Sequence, residues 1–364
     1  MPLTQSHVSS GFEKVADLFA NFAKDEEAQL AIYRGKELVL DLASNLDPDA
    51  LMTVYSVSKG LSALAMAKLV ETGKLDLDQT VAHYWPEFAA KEKQSITVRQ
   101  LLSHQAGLPE IDRQLTEEEL LDGLTAADLL AQQRPLWYPG KAHGYHGLTI
   151  GPLMSKLVHQ ITGQTLQQYY ESEIRSKAQG DAYLGLPEEL EPRVVDLLPA
   201  HPPTAQEQKQ WGPLLNWSNN PLNDLTFGRG LEGASVIGSR ARRHGLPSAA
   251  GVASARGLAK VTRYAIDHTA PEVFERFGQM QAYGLDIILD QPARGYGIIF
   301  MKPTPTLPFG SHQAFGHDGA AGCMLIADPE TDMVLGYTVR RCPTPGGMDR
   351  RLLPLIQEFR RSAN

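Results

Sequence analysis

Ser56 and Lys59 stand three positions apart, the spacing at which two side chains on a helix face the same way. A hydroxyl and an amine held like this can share a proton, which turns the inert serine into a nucleophile. The run from Gly60 to Val70 is apolar on nearly every side, which predicts a buried helix, and Gly73 is suited to ending it. Ser-x-x-Lys occurs only once in the chain.

The predicted helix gives both side chains a defined electrostatic environment. Ser56 is expected in its first turn, where unpaired backbone N–H groups and the positive end of the helix dipole favour negative charge. Lys59 lies one turn further in, among apolar side chains. Burial penalises an ammonium group, so the pKa of Lys59 should fall and the amine can act as a base.

The composition excludes several other classes of protein. A formal charge of -8 argues against a nucleic-acid surface, and hydrophobic residues at 42% are ordinary for a globular protein. We find no secretory signal and no apolar stretch of membrane-spanning length. Two cysteines, Cys323 and Cys342, do not form a disulfide framework. We therefore expect a cytoplasmic protein with no membrane or nucleic-acid partner, and leave the oligomeric state open.

The elements that would position the motif come from both ends of the chain. Amphipathic helices are predicted over Gly11 to Lys24 and from Met348 onward. Strands are predicted over residues 28–33, 37–41, 297–301, 323–327 and 333–339. The predicted fold class is α/β of the α+β type, with an antiparallel sheet built from both chain ends, flanked by the terminal helices and interrupted by a mainly helical insertion.

This pattern divides the chain into two predicted domains. Residues 1–58 and 248–364 would form the α/β sheet domain, and residues 59–247 the mainly helical domain. The stretch 187–247 is rich in proline, asparagine and glycine, and is predicted to be loop-rich. Long irregular stretches often cover binding sites, although a plain surface excursion explains the composition equally well.

Four further segments resemble motifs of one superfamily. They are Ile96-Thr97-Val98-Arg99-Gln100-Leu101-Leu102-Ser103-His104-Gln105-Ala106-Gly107-Leu108-Pro109, Trp137-Tyr138-Pro139-Gly140, Tyr145-His146-Gly147 and Gly316-His317-Asp318-Gly319. Together with Ser56 to Lys59 they are similar to motifs of the serine β-lactamase and penicillin-binding-protein superfamily. Residues 144–151 and 185–194 resemble family VIII carboxylesterases, which have the class C β-lactamase fold. The resemblance covers nearly the whole chain, most clearly residues 28–195 and 247–340.

The resemblance implies a role for each motif residue. Ser56 would attack an ester carbonyl and form an acyl-enzyme, and Tyr145 would transfer the proton, held partly as a phenolate by the Lys59 ammonium. The two groups would titrate as a unit. Backbone N–H groups of Ser56 and Ala320 would form the oxyanion hole, and substrate would contact His317, Gly319 and Trp137. We expect no metal and no cofactor.

Two departures from the β-lactamase pattern shift the predicted substrate. His317 stands where β-lactamases have a lysine that helps to bind the drug's carboxylate, and a neutral histidine is a weaker anion site. Gly147 replaces the asparagine of Tyr-x-Asn and so removes an amide. Both changes favour a small, short-chain carboxylic ester, hydrolysed with water. Amides, D-amino-acid peptides and β-lactams remain alternatives on the same site.

Other kinds of protein fit the sequence less well. A metallohydrolase would use His143 and His146, but His-x-x-His alone is a weak signal. His104 and His143 are interpreted as structural. The chain has no Gly-x-Ser-x-Gly elbow of an α/β-hydrolase. A non-catalytic binding or scaffold protein of the same fold is the rival from another class, and the complete set of Ser56, Lys59 and Tyr145 argues against it.

Overall fold

Strands from both ends of the chain form one antiparallel sheet in the computed structural model, which describes residues 4–215, 222, 226 and 236–362. Within these residues the sheet has six strands in the order β1-β3-β2-β11-β10-β9. They are β1 (Thr4–Val8), β2 (Ala28–Arg34), β3 (Glu37–Ser44), β9 (Phe315–Asp318), β10 (Met324–Asp328) and β11 (Met333–Val339). The predicted α+β fold is confirmed.

The contact between the two chain ends is the pairing of β2 with β11. It runs from Met333 opposite Arg34 to Val339 opposite Ala28. The N-terminal hairpin β2–β3 and the C-terminal hairpin β10–β11 are thereby joined into one sheet. Two shorter groups of strands accompany it: β4 (Met52–Thr53), β5 (Ala182–Tyr183) and β6 (Val252–Ala253), then β7 (Ala282–Asp286) with β8 (Gln291–Tyr296).

Helices cover both faces of the sheet and fill the inserted region. In the described residues they are α1 (Glu13–Ala23), α2 (Val57–Glu71), α3 (Val81–Tyr84), α4 (Val98–Leu102), α5 (Glu117–Asp122), α6 (Leu124–Gln132), α7 (Ile150–Thr162), α8 (Leu166–Tyr170), α9 (Ser176–Ala178), α10 (Ala205–Leu215), α11 (Ser239–His244), α12 (Ala255–Asp267), α13 (Pro271–Gly278) and α14 (Leu352–Ser362).

Side chains alternate between two hydrophobic cores because successive residues of a strand point to opposite faces. Leu30 and Ile32 of β2 join the core beneath the terminal helices α1 and α14. Ala31 between them joins the larger core around α2, α7 and α12. Both faces of the sheet are therefore buried, and α2 lies in the interior between the sheet and the helical region.

Polar residues of α2 fasten the helix to a distant segment of the chain. The Ser58 hydroxyl accepts a hydrogen bond from the Gly251 N–H (2.8 Å), and the Ser62 hydroxyl donates to the carbonyl oxygen of Pro247 (2.9 Å). Both serines are buried. The segment Pro247–Gly251 thus closes one side of the helix that carries the Ser-x-x-Lys motif.

The predicted strand over residues 297–301 is wrong. Strand β8 ends at Tyr296, and the chain then turns, with the Gly297 N–H donating to the carbonyl oxygen of Phe300 (2.8 Å). Ile299 has a φ of 67°, which no strand allows. Only Met301 returns to a bridge, opposite Gly316. The apolar run in the sequence reflects burial of a turn rather than a strand.

Several other sequence predictions fall differently in the structure. Strand β1, which adds an edge to the sheet beside β3, was not predicted. The stretch 187–247 contains α10 and α11, and residues 216–221, 223–225 and 227–235 of it lie outside the described part. The division into two domains stays a prediction. No helix in the described ranges combines the length and apolar character needed to span a bilayer.

Candidate active site

Ser56 lies at the point where the chain turns from a short strand into α2. Strand β4 ends at Thr53, Tyr55 adopts a left-handed φ of 45°, and α2 begins at Val57. A left-handed φ on a bulky residue is strained, and such strain persists only where surrounding contacts hold it. Ser56 is half-buried, so its hydroxyl stands at the open edge of an otherwise buried helix. This is the first-turn position expected from the sequence.

Lys59 is buried directly behind the serine. It has no exposed surface, and its Nζ lies 3.0 Å from Ser56 Oγ and 2.7 Å from the carbonyl oxygen of Ser248. Burial lowers the pKa of Lys59 to about 7, although the negative charge of Asp318 acts in the opposite direction. A large fraction of the amine is therefore neutral near pH 7 and can accept the serine proton.

Tyr145 completes the group of residues predicted from the sequence. Its hydroxyl is hydrogen-bonded to Ser56, and Lys59 Nζ lies 5.0 Å from the centre of its ring. Burial raises the pKa of Tyr145 above its ordinary value, and the hydrogen bond with Ser56 only partly opposes this. The expected resting phenolate is therefore not supported. The pKa of Lys59, rather than that of Tyr145, suits a base that acts near pH 7.

A buried carboxylate that the sequence did not reveal positions Tyr145. Both oxygens of Asp286 accept from the Tyr145 N–H at 3.1 Å, and the Tyr296 hydroxyl donates to one of them at 2.8 Å. The N–H groups of Ile288 and Leu289 donate to the same carboxylate. Asp286 has no exposed surface, so these donors replace water around its charge.

A second partner holds the loop that carries Tyr145. The Thr226 hydroxyl donates to the Tyr145 carbonyl oxygen (2.9 Å) and accepts from the Gly147 N–H (2.6 Å). Thr226 is buried, and 81 positions separate it from Tyr145 in the chain. Neither partner has a local motif, and only the fold brings them to the tyrosine.

The predicted oxyanion donors lie at the end of β9 beside the start of α2. Within the described residues, neither the Ser56 N–H nor the Ala320 N–H donates to another group of the protein. The Gly319 N–H donates to the Cys323 carbonyl oxygen (2.8 Å), which fixes the turn before Ala320. A Cβ on Gly319 would stand 2.3 Å from the Val54 carbonyl oxygen, so only glycine allows this close approach.

His317 is neutral and buried beside Lys59 and Tyr145. Its Nδ1–H donates to the Asp318 carbonyl oxygen (2.8 Å), while Nε2 has no partner among the described residues. Burial and the neighbouring Lys59 charge lower its pKa to about 3. The side chain has no exposed surface, and its ring centre lies 6.2 Å from that of Tyr145. His317 therefore supplies no positive charge at neutral pH.

Trp137 lies beneath the loop of Tyr145. Its indole N–H donates to the Gln105 carbonyl oxygen (3.3 Å), and its ring meets that of His146 edge-on, with centres 5.8 Å apart. The ring is half-buried. These contacts describe a packing residue that supports the loop, and substrate contact by Trp137 stays a prediction.

The predicted histidines form a buried support under Tyr145. His104 Nδ1 accepts from the His146 N–H (3.1 Å). His146 Nδ1 donates to the Gly144 carbonyl oxygen (2.7 Å), and its Nε2 accepts from the Leu108 N–H (2.9 Å). Both ring nitrogens of His146 are thus engaged, which leaves no lone pair for the metal site considered with His143. His104 packs against Tyr145 with ring centres 5.1 Å apart.

Known proteins share sequence and fold with this chain. A family model described as beta-lactamase matches residues 15–357. The structure of EstA from Arthrobacter nitroguajacolicus Rue61a is 37% identical, with a TM-score of 0.85 over 99% of this chain and 98% of that one. A solved family VIII carboxylesterase is 26% identical, with a TM-score of 0.84 over 100% of both chains. The "Esterase/beta-lactamase LipL" of Mycobacterium tuberculosis is 28% identical, over 82% of this chain and 71% of LipL.

Proposed function

The chain belongs to the beta-lactamase family and is a serine hydrolase of that superfamily, and we propose that it is a carboxylesterase acting through an acyl-enzyme on Ser56. The observation that carries the proposal is the fully buried Lys59, whose Nζ lies 3.0 Å from the Ser56 hydroxyl and whose pKa is about 7. The similarity to a family VIII carboxylesterase and to LipL supports an ester as the substrate.

In the acylation step, Ser56 Oγ attacks the ester carbonyl carbon as its proton moves to the neutral amine of Lys59. The carbonyl oxygen becomes an oxyanion facing the N–H groups of Ser56 and Ala320. Loss of one such donor typically costs about 3 kcal/mol of transition-state stabilisation. When the tetrahedral intermediate collapses, the carbon–oxygen bond to the alcohol breaks, and the leaving oxygen takes a proton from Lys59 through the Tyr145 hydroxyl.

In the deacylation step, water attacks the acyl group on Ser56 and gives its proton to the same amine. The carboxylic acid leaves, and Ser56 regains its hydrogen. Tyr145 keeps its proton in the resting state, since burial raises its pKa, and it serves as a relay beside Ser56. Asp286 and Thr226 hold the relay in place through the backbone of the loop.

The site favours an uncharged ester over a charged β-lactam. The neutral imidazole of His317 gives no cation for a substrate carboxylate. Gly147 has no side chain to bind a substrate amide, and its N–H is already bonded to Thr226. An uncharged ester has no carboxylate or amide to bind, so the absence of these partners costs little of its binding energy.

Brief exposure to p-nitrophenyl acetate followed by mass spectrometry tests the proposal. We expect an acyl adduct on Ser56, and hydrolysis that is abolished in Ser56→Ala but unchanged in Ser10→Ala, a control at an exposed serine. A chromogenic cephalosporin should be turned over far more slowly. Absence of the adduct from the folded wild-type protein would contradict the proposal and would favour a binding protein of the same fold.

A further inference from the structure

A cavity of about 520 Å³ lies next to the catalytic group, on its helical side. Its walls come from α5 and α6, from α7, and from the segment between Arg240 and Ser248. Pockets of this size accommodate small organic molecules. None of Ser56, Lys59 and Tyr145 lines it, so it is a neighbouring space rather than the catalytic group itself.

One side of the cavity is strongly apolar. Leucines line this side: Leu115, Leu120, Leu121, Leu124, Leu148 and Leu246. Leu120, Leu121 and Leu246 belong to a small hydrophobic cluster that is separate from the two main cores. Ala126 of α6 also lines the cavity, whereas its neighbour Ala127 packs into the main core. The cavity therefore offers an apolar surface that the folded chain does not itself fill.

The two arginines that line the cavity are paired with glutamates. Arg240 is bonded to Glu117, and Arg113 to Glu119 at 2.7 Å. The other charged side chains of the described lining include the carboxyl groups of Glu110, Glu118 and Asp122, which do not attract an anion. Thr149 and Ser155 add uncharged hydroxyls. An uncharged, mainly apolar group fits this lining better than a carboxylate does.

The inner wall of the cavity is shared with the catalytic group. Ser248 lines the cavity, and its carbonyl oxygen accepts from Lys59 Nζ at 2.7 Å, which in turn lies 3.0 Å from Ser56 Oγ. Thr226 also lines the cavity and holds the loop of Tyr145 and Gly147. The wall is thus built from residues that contact the catalytic machinery directly.

We propose that this cavity binds a hydrocarbon group of the ester whose carbonyl reacts at Ser56, so that the enzyme prefers esters with a medium-length chain. This inference rests on the proposed carboxylesterase function and differs from the short-chain expectation, which stays a prediction that the same experiment tests. An acetyl group has only one carbon beyond the carbonyl and so little apolar surface to bury. On this proposal, a longer chain directed toward Ser248 enters the cavity and is stabilised by burial of its apolar surface against the leucines.

A chain-length series measures the effect. For the wild-type enzyme we expect kcat/KM to be at least about tenfold higher for p-nitrophenyl octanoate than for p-nitrophenyl acetate, since each buried methylene contributes to specificity. Octyl acetate compared with ethyl acetate forms a second arm. A gain with octanoate assigns the cavity to the acyl group, and a gain with octyl acetate assigns it to the alcohol.

Two variants fill the cavity without touching the catalytic group. Ala126→Phe places a ring in it from α6, and Leu124→Trp does so from the start of the same helix. We expect each to lower kcat/KM for the preferred long-chain ester by about tenfold or more, and for p-nitrophenyl acetate by less than about twofold. Leu136→Trp, at a leucine that is 50% exposed and outside the cavity, is the control and should change neither.

The outcomes separate this inference from the proposed function. Equal losses for long and short esters in a variant with wild-type thermal stability would overturn the cavity assignment. So would a wild-type enzyme that shows no gain with chain length in either arm. Both results would leave ester hydrolysis intact. Failure of the wild-type enzyme on every ester, with no adduct on Ser56, would instead refute the carboxylesterase proposal.

Discussion

Lys59 combines two properties that oppose each other in the folded protein. Its burial lowers the pKa from 10.5 to about 7. Between these two pH values the unfolded chain binds more protons than the folded one, so the contribution of Lys59 to folding improves as pH rises from about 7. The same burial gives a neutral amine at physiological pH. Burial of Lys59 therefore makes its amine available as a base but lowers the stability of the folded protein.

The first prediction follows from the protonation state of Lys59. Because the neutral amine is the base, kcat/KM for p-nitrophenyl acetate should rise with pH through about 7 and then level off. Tyr145 should not titrate in this range, since its pKa is raised. The initial rates of wild type and Lys59→Met across the pH range check this, and the variant should show only residual, pH-flat activity. A wild-type profile that is flat near pH 7 would contradict Lys59 as the base.

The second prediction concerns the positioning of Tyr145 by Asp286. Asp286→Asn keeps the shape of the side chain but replaces one acceptor oxygen with an N–H donor that faces other donors. We expect kcat to fall by about 10- to 100-fold with little change in KM, because the relay is displaced and substrate binding is not. Steady-state kinetics measure kcat and KM separately. Asp290→Asn, at an exposed aspartate of the same hairpin, should behave as wild type. Unchanged kcat in Asp286→Asn would show that the carboxylate is dispensable.

The sequence predicted the residues of the proposed mechanism but not the residues that position them. Ser56, Lys59 and Tyr145 belong to local motifs with fixed spacing, and the structure brings them together. Asp286 contacts Tyr145 across 141 positions and lies in no motif. From the sequence alone, a buried aspartate cannot be distinguished from an exposed one, because its neighbours come from distant parts of the chain. The protonation of Tyr145 was misjudged for a related reason, since the depth of burial decides it.

At the level of elements, the site depends on how closely β9 approaches the start of α2. The missing side chain of Gly319, just after β9, lets this turn lie against the backbone of Val54, two residues before Ser56. On the other side, the segment Pro247–Gly251 holds α2 through hydrogen bonds to Ser62 and Ser58. Ser56 is therefore held at the start of a helix that packs between two segments from later in the chain.

The third prediction tests that approach. In Gly319→Ala the new Cβ would meet the Val54 carbonyl oxygen at 2.3 Å, so the end of β9 must move away from α2. Loss of one oxyanion donor lowers kcat by about 10²- to 10³-fold, and we expect a decrease of that size in steady-state assays. Gly212→Ala is the matched control, since its Cβ would meet nothing within 4 Å. Wild-type kcat in Gly319→Ala would contradict the assigned oxyanion hole.

Helices and strands whose hydrophobic residues repeat at a regular spacing were predicted correctly. Elements that depend on contacts with distant parts of the chain were not. The hairpin β2–β3 and strand β11 follow from their hydrophobic runs and turns. The run 297–301 failed because burial of an apolar turn looks like a strand in sequence. Strand β1 has no such run, and it exists through its pairing with β3.

At the scale of the whole molecule, the terminal helices join the two chain ends over one face of the sheet. Phe12, just before α1, stacks on Phe359 of α14 with ring centres 5.3 Å apart, and both belong to the core beneath these helices. Phe359 has no exposed surface. The packing of α14 on α1 therefore supports the β2–β11 pairing that unites the sheet.

The fourth prediction addresses this junction. Phe359→Ala removes a fully buried ring and should lower the free energy of unfolding by about 3 to 5 kcal/mol. Urea denaturation followed by circular dichroism measures the loss. The value of kcat under native conditions should stay near wild type, because Phe359 packs on Phe12 beneath the terminal helices, whereas the apolar residues of α2 belong to the other core. Leu285→Ala, at a leucine that is 52% exposed, should shift stability by less than about 0.5 kcal/mol. A similar small shift for Phe359→Ala would mean that α14 contributes little to the sheet.

Because the sheet is built from both ends of the chain, the order of synthesis determines when the site can form. Ser56 and Lys59 emerge early from the ribosome, whereas Ser248, Asp286 and Ala320 follow much later. On the proposed mechanism, a nascent or truncated chain that stops before Ala320 contains the nucleophile but has no second oxyanion donor. Lys59 in such a chain also lacks the complete sheet that excludes water from it. On the proposed mechanism, catalytic competence therefore requires residues from the last part of the chain, and a chain that ends before Ala320 should be inactive.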